Sequence, residues 1–130
     1  MSFVVDTSVW IDFFNGSSNE EINILESKIS TEQIIVGDLI MMEILQGIRN
    51  DKLFKECQSY LEEYLIVSMM APDAYIGYAN IYRTLRKKGV TIRSTIDVII
   101  AGYCINHNLP LLQRDQDFIP FQQHLGLILL

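Results

Sequence analysis

No stretch of this chain is apolar for the roughly 18–20 residues that a membrane-spanning helix requires. Its first residues also lack the basic segment and following apolar run of a secretory signal. Cysteine is scarce. Cys57 and Cys104 stand apart, with no Cys-x-x-Cys spacing and no neighbouring ligands, so two reduced, buried thiols in a cytoplasmic protein are expected. His107 and His124 are isolated, which leaves no imidazole set to hold a metal, and His107 reads as a helix cap. Gly-x-Gly-x-x-Gly, a Walker A segment and Gly-x-Ser-x-Gly are all missing, so neither a glycine-rich nucleotide site nor a serine-nucleophile elbow is supported. There is no repeat, low-complexity tract or linker. Positive charge is short as well: 10 Lys+Arg against 16 Asp+Glu give a net charge of −6, which argues against nucleic-acid binding through the overall field.

What is present describes a folded protein. Hydrophobic residues make up 49% and charged residues 20% of 130 residues, enough for one domain with a real core and too few for two. Phe3-Val4-Val5 is a short apolar run of the kind found in buried parallel strands. Gln33–Val36, Leu65–Val67, Pro110–Leu112 and Leu127–Leu129 read as four more. Helical periodicity covers Thr7–Phe14, which stops at Asn15-Gly16, and residues 20–29. Asp38 is the expected N-cap of a helix running to about Gly47. Residues 52–63 and 73–88 read as two further amphipathic helices. The second carries Tyr75, Tyr78, Tyr82 and Leu85 on one stripe, expected to pack in the core, and ends at Gly89. Ser94 begins another helix that Asn106 or Asn108 closes. Strands alternating with helices imply an α/β fold whose mostly parallel sheet of about five strands is covered on both faces.

Against that apolar background, several acids are out of place. Asp6 follows Phe3-Val4-Val5, and Glu43 interrupts Leu39–Met42 and Ile44-Leu45. Asp97 lies between Ile96 and Val98–Ala101, and Asp115 and Asp117 follow Leu111-Leu112. A carboxylate moved into apolar surroundings loses several kcal/mol of hydration unless cations or donors replace the water. Each has a local explanation. Asp6 is placed to cap the helix starting at Thr7, and Asp97 to complete a capping box with Ser94. Asp115 and Asp117 are placed to shape a turn, and Glu43 to share a solvent stripe with Gln46. Capping does not account for Glu43, which is mid-helix. Asp6 and Asp115 both follow strands, and parallel sheets bind ligands beyond the carboxyl ends of their strands. Carboxylates about 4 Å apart repel by ~4 kcal/mol per pair at an effective dielectric near 20, so a cluster requires cations or protons. Magnesium suits such all-oxygen sites, and paired ions clamp a phosphodiester during in-line displacement.

Four segments carry a resemblance. Val5-Asp6-Thr7-Ser8-Val9-Trp10-Ile11 resembles the opening of PIN-domain ribonucleases, and Gly37-Asp-Leu-Ile-Met-Met-Glu43-Ile-Leu-Gln-Gly47 their second motif. Thr95-Ile-Asp97-Val-Ile-Ile-Ala101 resembles the third and Leu111-Leu-Gln-Arg-Asp115-Gln-Asp117-Phe118 the fourth. Order and spacing agree over essentially the whole chain, and the wording is most similar to VapC-type toxins of toxin–antitoxin pairs. The resemblance implies a single PIN domain over residues 1–130, a three-layer α/β/α architecture, and a magnesium- or manganese-dependent endoribonuclease. It would hydrolyse tRNA or other structured RNA with a metal-activated water. Asp6, Glu43 and Asp97 match the family's core ligands. Asp115 matches the fourth acid, with Asp117 close enough to share or take that role.

Thr7 resembles the hydroxyl residue that supports the acids. Gln113 stands where the family often has Thr or Ser, and its amide still donates and accepts. Half of the Lys+Arg residues fall between 83 and 93. Positions there suit a helix end, since cations are favoured at its C-terminus. Arg86, Lys87 and Arg93, with Arg114 beside the fourth acid, are also candidates for RNA phosphate contacts. Trp10 is expected to pack against the core or a partner. Family members usually form homodimers and are silenced by a VapB-like antitoxin, which inserts a helix into a groove and a basic side chain among the acids. Two other functions fit the same residues: a catalytically weak PIN scaffold that acts by binding protein, and an RNA-processing PIN nuclease without an antitoxin.

Overall fold

A computed structural model describes all residues from Met1 to Leu130. Its elements are β1 (Ser2–Val5), α1 (Thr7–Phe14), α2 (Glu20–Lys28), β2 (Gln33–Gly37), α3 (Asp38–Gln46), α4 (Asp51–Leu61), β3 (Leu65–Val67), α5 (Ala74–Lys87), α6 (Thr95–Asn106), β4 (Leu111–Leu112) and α7 (Ile119–Leu125). A 3-10 turn over Gln116–Phe118 precedes α7. The strands form one sheet in the order β3-β2-β1-β4, and every pairing is parallel. Phe3, Val4 and Val5 are wholly buried because β1 has a strand on either side and helices over its faces. Each such side chain removed from water contributes about 1.5–3 kcal/mol.

The expected fifth strand is reduced to one contact. Leu127–Leu129 contributes an isolated parallel bridge between Leu111 and Leu129, because β4 is only two residues long and offers no longer ladder. At the start of α3, Gly37 rather than Asp38 takes the N-cap position. The Asp38 carboxylate sits one residue inside, accepting from the backbone N–H of Leu39 at 2.9 Å and of Met69 at 3.1 Å. That ties α3 to the segment leaving β3.

From β1 the chain steps outward through β2 to β3, then returns to lay β4 on the other side of β1. Right-handed crossovers put the helices of the outward steps on one face and those of the return on the other. The helix contacts agree: α1 packs with α2 and α3, α3 with α4, and α5 with α6. Between the carboxyl ends of β1 and β4 the direction of winding reverses, which opens a crevice where ligands bind in sheets of this type.

Trp10 has no exposed surface and lies in an aromatic cluster with Phe13, Phe14, Tyr60 and Tyr64 at centroid distances of 5.7–6.3 Å. Cys57 and Cys104 are both free and buried. The tyrosine stripe divides. Tyr78 is buried and donates its hydroxyl to the Met69 carbonyl at 2.6 Å, whereas Tyr75 is 57% exposed and Tyr82 half-buried. The expectation of a fully packed stripe is corrected because α5 turns only part of that face onto α6, and the rest lines a surface groove. No helix is long and apolar enough to cross a membrane.

Candidate active site

Asp6 is the first residue beyond β1, and its backbone N–H donates to the Leu112 carbonyl at the end of β4, 2.9 Å away. This bond fixes the two strand ends side by side, so acids following each strand must share the crevice. Asp6 also caps α1: one carboxylate oxygen accepts from the Ser8 hydroxyl at 2.7 Å and from the Ser8 N–H at 3.3 Å. Glu43 reaches the site from α3. It is half-buried and accepts a 2.7 Å hydrogen bond from the Thr7 hydroxyl, so it does not share a solvent stripe with the exposed Gln46.

Asp97 lies in the first turn of α6. Its N–H is capped by the Ser94 hydroxyl at 3.4 Å, and its carboxylate makes no return bond to Ser94, so only half of the expected capping box forms. Asp115 caps the 3-10 turn, accepting from the Asp117 N–H at 2.9 Å. The Gln113 amide oxygen accepts from the Asp115 N–H, holding the loop on which both acids ride. Oxygens of Asp97, Asp115 and Asp117 lie within 4.8 Å of one another.

The electrostatics of the cluster follow from burial and like charge. Burial pushes the Asp6 carboxyl up, more than its bonds to Ser8 and Thr7 pull it down, and Glu43 adds repulsion. Asp97 is pushed up to about 7, first by burial and then by Asp6, Asp115, Glu43 and Asp117. Asp97 therefore feels the other four acids, and Asp6 feels Glu43. Behind them the Cys104 thiol is pushed up to about 12, chiefly by burial and then by Asp6, and stays protonated. The cluster offers carboxylate oxygens and no thiolate or imidazole, which fits a hard divalent cation such as magnesium or manganese. Asp97, Asp115 and Asp117 lie close enough together that they could hold one, and Asp6 and Glu43 are within electrostatic reach of Asp97.

The four basic candidates separate in space. Arg93 donates to Asp117 at 3.1 Å, and Arg114 donates to Asp12. Both line an open depression of about 530 Å³ beside Asp115 and Asp117. Arg86 instead packs over the Tyr82 ring, 5.7 Å from its centroid, and lines the α5–α6 groove. Lys87 is exposed in the last turn of α5 and lines neither cavity. His107 occupies the C-cap position of α6 with Nδ1 2.9 Å from the Tyr103 carbonyl, far in role from the acids. The sequence reading missed Asp12. Its only signal was an acid on the face of α1 one turn beyond Ser8.

A switch-point crevice rimmed by acids from four elements defines a class of protein, and the chain belongs to the PIN-domain family, whose model matches residues 3–121. It is similar to the VapC ribonuclease Mb1587 of Mycobacterium bovis, at 30% identity over 119 residues covering 88% of this chain and 87% of that protein. Ribonuclease VapC1 of Methanocaldococcus jannaschii is 29% identical over 124 residues, covering 95% of this chain and 83% of the relative. The fold recurs in the crystal structure of VapBC2 from Rickettsia felis bound to a promoter DNA fragment, with a TM-score of 0.79 at 19% identity over 100% of this chain and 98% of that one. FitAcB from Neisseria gonorrhoeae gives a TM-score of 0.74 at 23% identity, covering 99% of this chain and 96% of that one.

Proposed function

We propose that this protein is a VapC-like toxin: a divalent-metal-dependent endoribonuclease that acts on RNA in the cytoplasm and is silenced by a VapB-like antitoxin. One observation carries the reading. Acids from β1, α3, α6 and the loop after β4 share a single crevice, with Asp97 pushed up to about 7. Only a cation stabilises so many carboxylates there in ionised form. Relatives named as VapC ribonucleases support the same conclusion. Magnesium or manganese held there would supply charge to offset the phosphodiester and to activate a water.

The protein's own groups do the rest. Asp97, Asp115 and Asp117 would hold the cation, while Asp6 and Glu43 complete the acidic wall. Thr7 orients Glu43 through its hydroxyl, and Ser8 orients Asp6. Such outer contacts commonly contribute 10–100-fold in metal affinity or activity. Gln113 holds the backbone of Asp115.

The antitoxin reading rests on a second cavity of about 260 Å³, lined by Ile11, Phe14, Ile44, Ile48 and Leu53 among others. Ile11 and Leu53 are 42% and 45% exposed there, an apolar seat suited to a helix. Ile11 also borders the acid-lined depression, so a segment lying in this groove ends beside the acids.

Purified protein is expected to cleave RNA with magnesium and to stop with EDTA. Asp6→Asn and Asp97→Asn should each reduce cleavage by at least about 100-fold, beyond the usual effect of losing an outer contact, while the circular dichroism of the fold is retained. Undiminished cleavage by both variants overturns the assignment.

A further inference from the structure

The acids that hold a cation create a difficulty for a polyanionic substrate. A protein of net charge −6 presents carboxylates at its rim, and one phosphate at the cation leaves its neighbours along the RNA facing negative charge. The depression beside Asp115 and Asp117 contains two positive side chains, Arg93 and Arg114. They come from different parts of the chain, one preceding α6 and the other between β4 and the 3-10 turn. Each makes one hydrogen bond to one carboxylate oxygen. A guanidinium carries five N–H donors in a rigid fork, so most of the donors on each remain available to phosphate oxygens. Their side chains are 80% and 46% exposed, which keeps both accessible from the depression.

Arg114 is the better anchored. Its partner Asp12 has a side chain only 16% exposed and also accepts from the Asn19 amide at 3.1 Å. Asn19 is fixed in turn, because its oxygen caps α2 by accepting from the Ile22 N–H at 2.9 Å. A polar chain thus runs from the start of α2 through Asn19 and Asp12 to Arg114, next to Asp115. Asp12 is outside the trio of acids that close on one another, and nothing in the cleavage chemistry uses it.

We propose that Arg93 and Arg114 clamp RNA phosphates adjacent to the one at the acids, and that Asp12 is a positioning residue that holds Arg114 in place. This inference rests on the ribonuclease reading and extends it to how the substrate is seated.

The test is binding of fluorescein-labelled polyuridine by fluorescence anisotropy in calcium, over a series of salt concentrations, with RNA integrity checked on gels. Arg93→Gln and Arg114→Gln should each weaken binding several-fold. Each should also lower the magnitude of the slope of log K against log salt by about 0.7, the value for one phosphate contact on a single strand. Manganese binding measured by calorimetry should not change in Arg114→Gln, because Arg114 bonds Asp12 and none of the trio of acids, and in magnesium KM should rise more than kcat falls. Asp12→Asn gives the sharper result. Through the field alone, removing a negative charge tightens binding of a polyanion; through loss of Arg114's anchor, it weakens binding.

Weakening by Asp12→Asn that disappears in an Arg114→Gln background supports positioning. Tighter binding by Asp12→Asn, or an unchanged salt slope for both arginine variants, overturns the clamp. Arginine variants that bind like the unmodified protein, beside inactive Asp6→Asn and Asp97→Asn, sink the clamp and leave the nuclease intact. The opposite pattern, altered binding beside active aspartate variants, sinks the nuclease reading instead.

Discussion

Asp6 and Asp115 each do two things that compete in a reading of sequence alone. Both cap the element that follows them, as their local sequence suggested, and both point the same acidic groups into a shared crevice. A cap uses one carboxylate oxygen, so the second remains for another partner, and local and long-range explanations are not exclusive. Asp97 carries the clearest energetic signature. Its carboxyl is held at about 7 against an ordinary value of 3.8. Between those values the folded state keeps a proton that the unfolded chain releases. Metal-free protein should therefore lose stability as pH rises from about 4 to about 7 and then level off. Magnesium should stabilise increasingly over the same range, since the ionised form binds it. Melting temperatures in EDTA and in magnesium at pH 5 and pH 8 check both signs. An EDTA melt that rises between those two pH values contradicts the assignment of Asp97 to a crowded acidic pocket.

At the scale of elements, α5 and α6 meet at Gly102. A Cβ built there lies 2.5 Å from Cδ1 and 2.7 Å from Cε1 of Tyr78. The Tyr78 ring cannot swing aside without giving up its 2.6 Å bond to the Met69 carbonyl. Alanine improves helix propensity by about 1 kcal/mol, but the overpacking outweighs it, and Gly102→Ala should lower stability by about 2 kcal/mol in urea denaturation. An unchanged midpoint contradicts this packing. Much of this level was legible beforehand, because apolar runs and caps are local. Thr7–Phe14 has its expected bounds, Ser94 caps α6, and Asn108 adopts the left-handed conformation at φ 53° just past that helix. The helix Ile119–Leu125 was not anticipated, although Pro120 in its first turn and Gly126 at φ 78° after its end are ordinary boundary signals. The fifth strand failed for a tertiary reason, since strand pairing depends on a partner of adequate length. Pairings such as Thr7 with Glu43 or Arg114 with Asp12 were invisible, because no periodicity links residues that far apart.

Over the whole molecule, two cavities meet at Ile11, one lined mostly by charged side chains and one mostly apolar. Leu53→Asp places a charge in the apolar groove without touching the acids. It should weaken the antitoxin complex at least tenfold, measured by calorimetry, while metal-dependent RNA cleavage by the isolated protein persists. Equal affinity for the antitoxin moves its seat elsewhere. The order of strands also has a consequence in time. β1, the first strand synthesised, sits in the interior of the sheet and must wait for β4, the last, to cover its second edge. At about 5–20 residues per second, synthesis from the first strand to the last acids takes on the order of ten seconds. Until Asp115 and Asp117 have emerged, Asp6 faces an open edge and the trio around Asp97 does not exist. The acidic trio can therefore close only after the loop beyond β4 has been made, well after Asp6 and the Thr7 and Ser8 hydroxyls beside it.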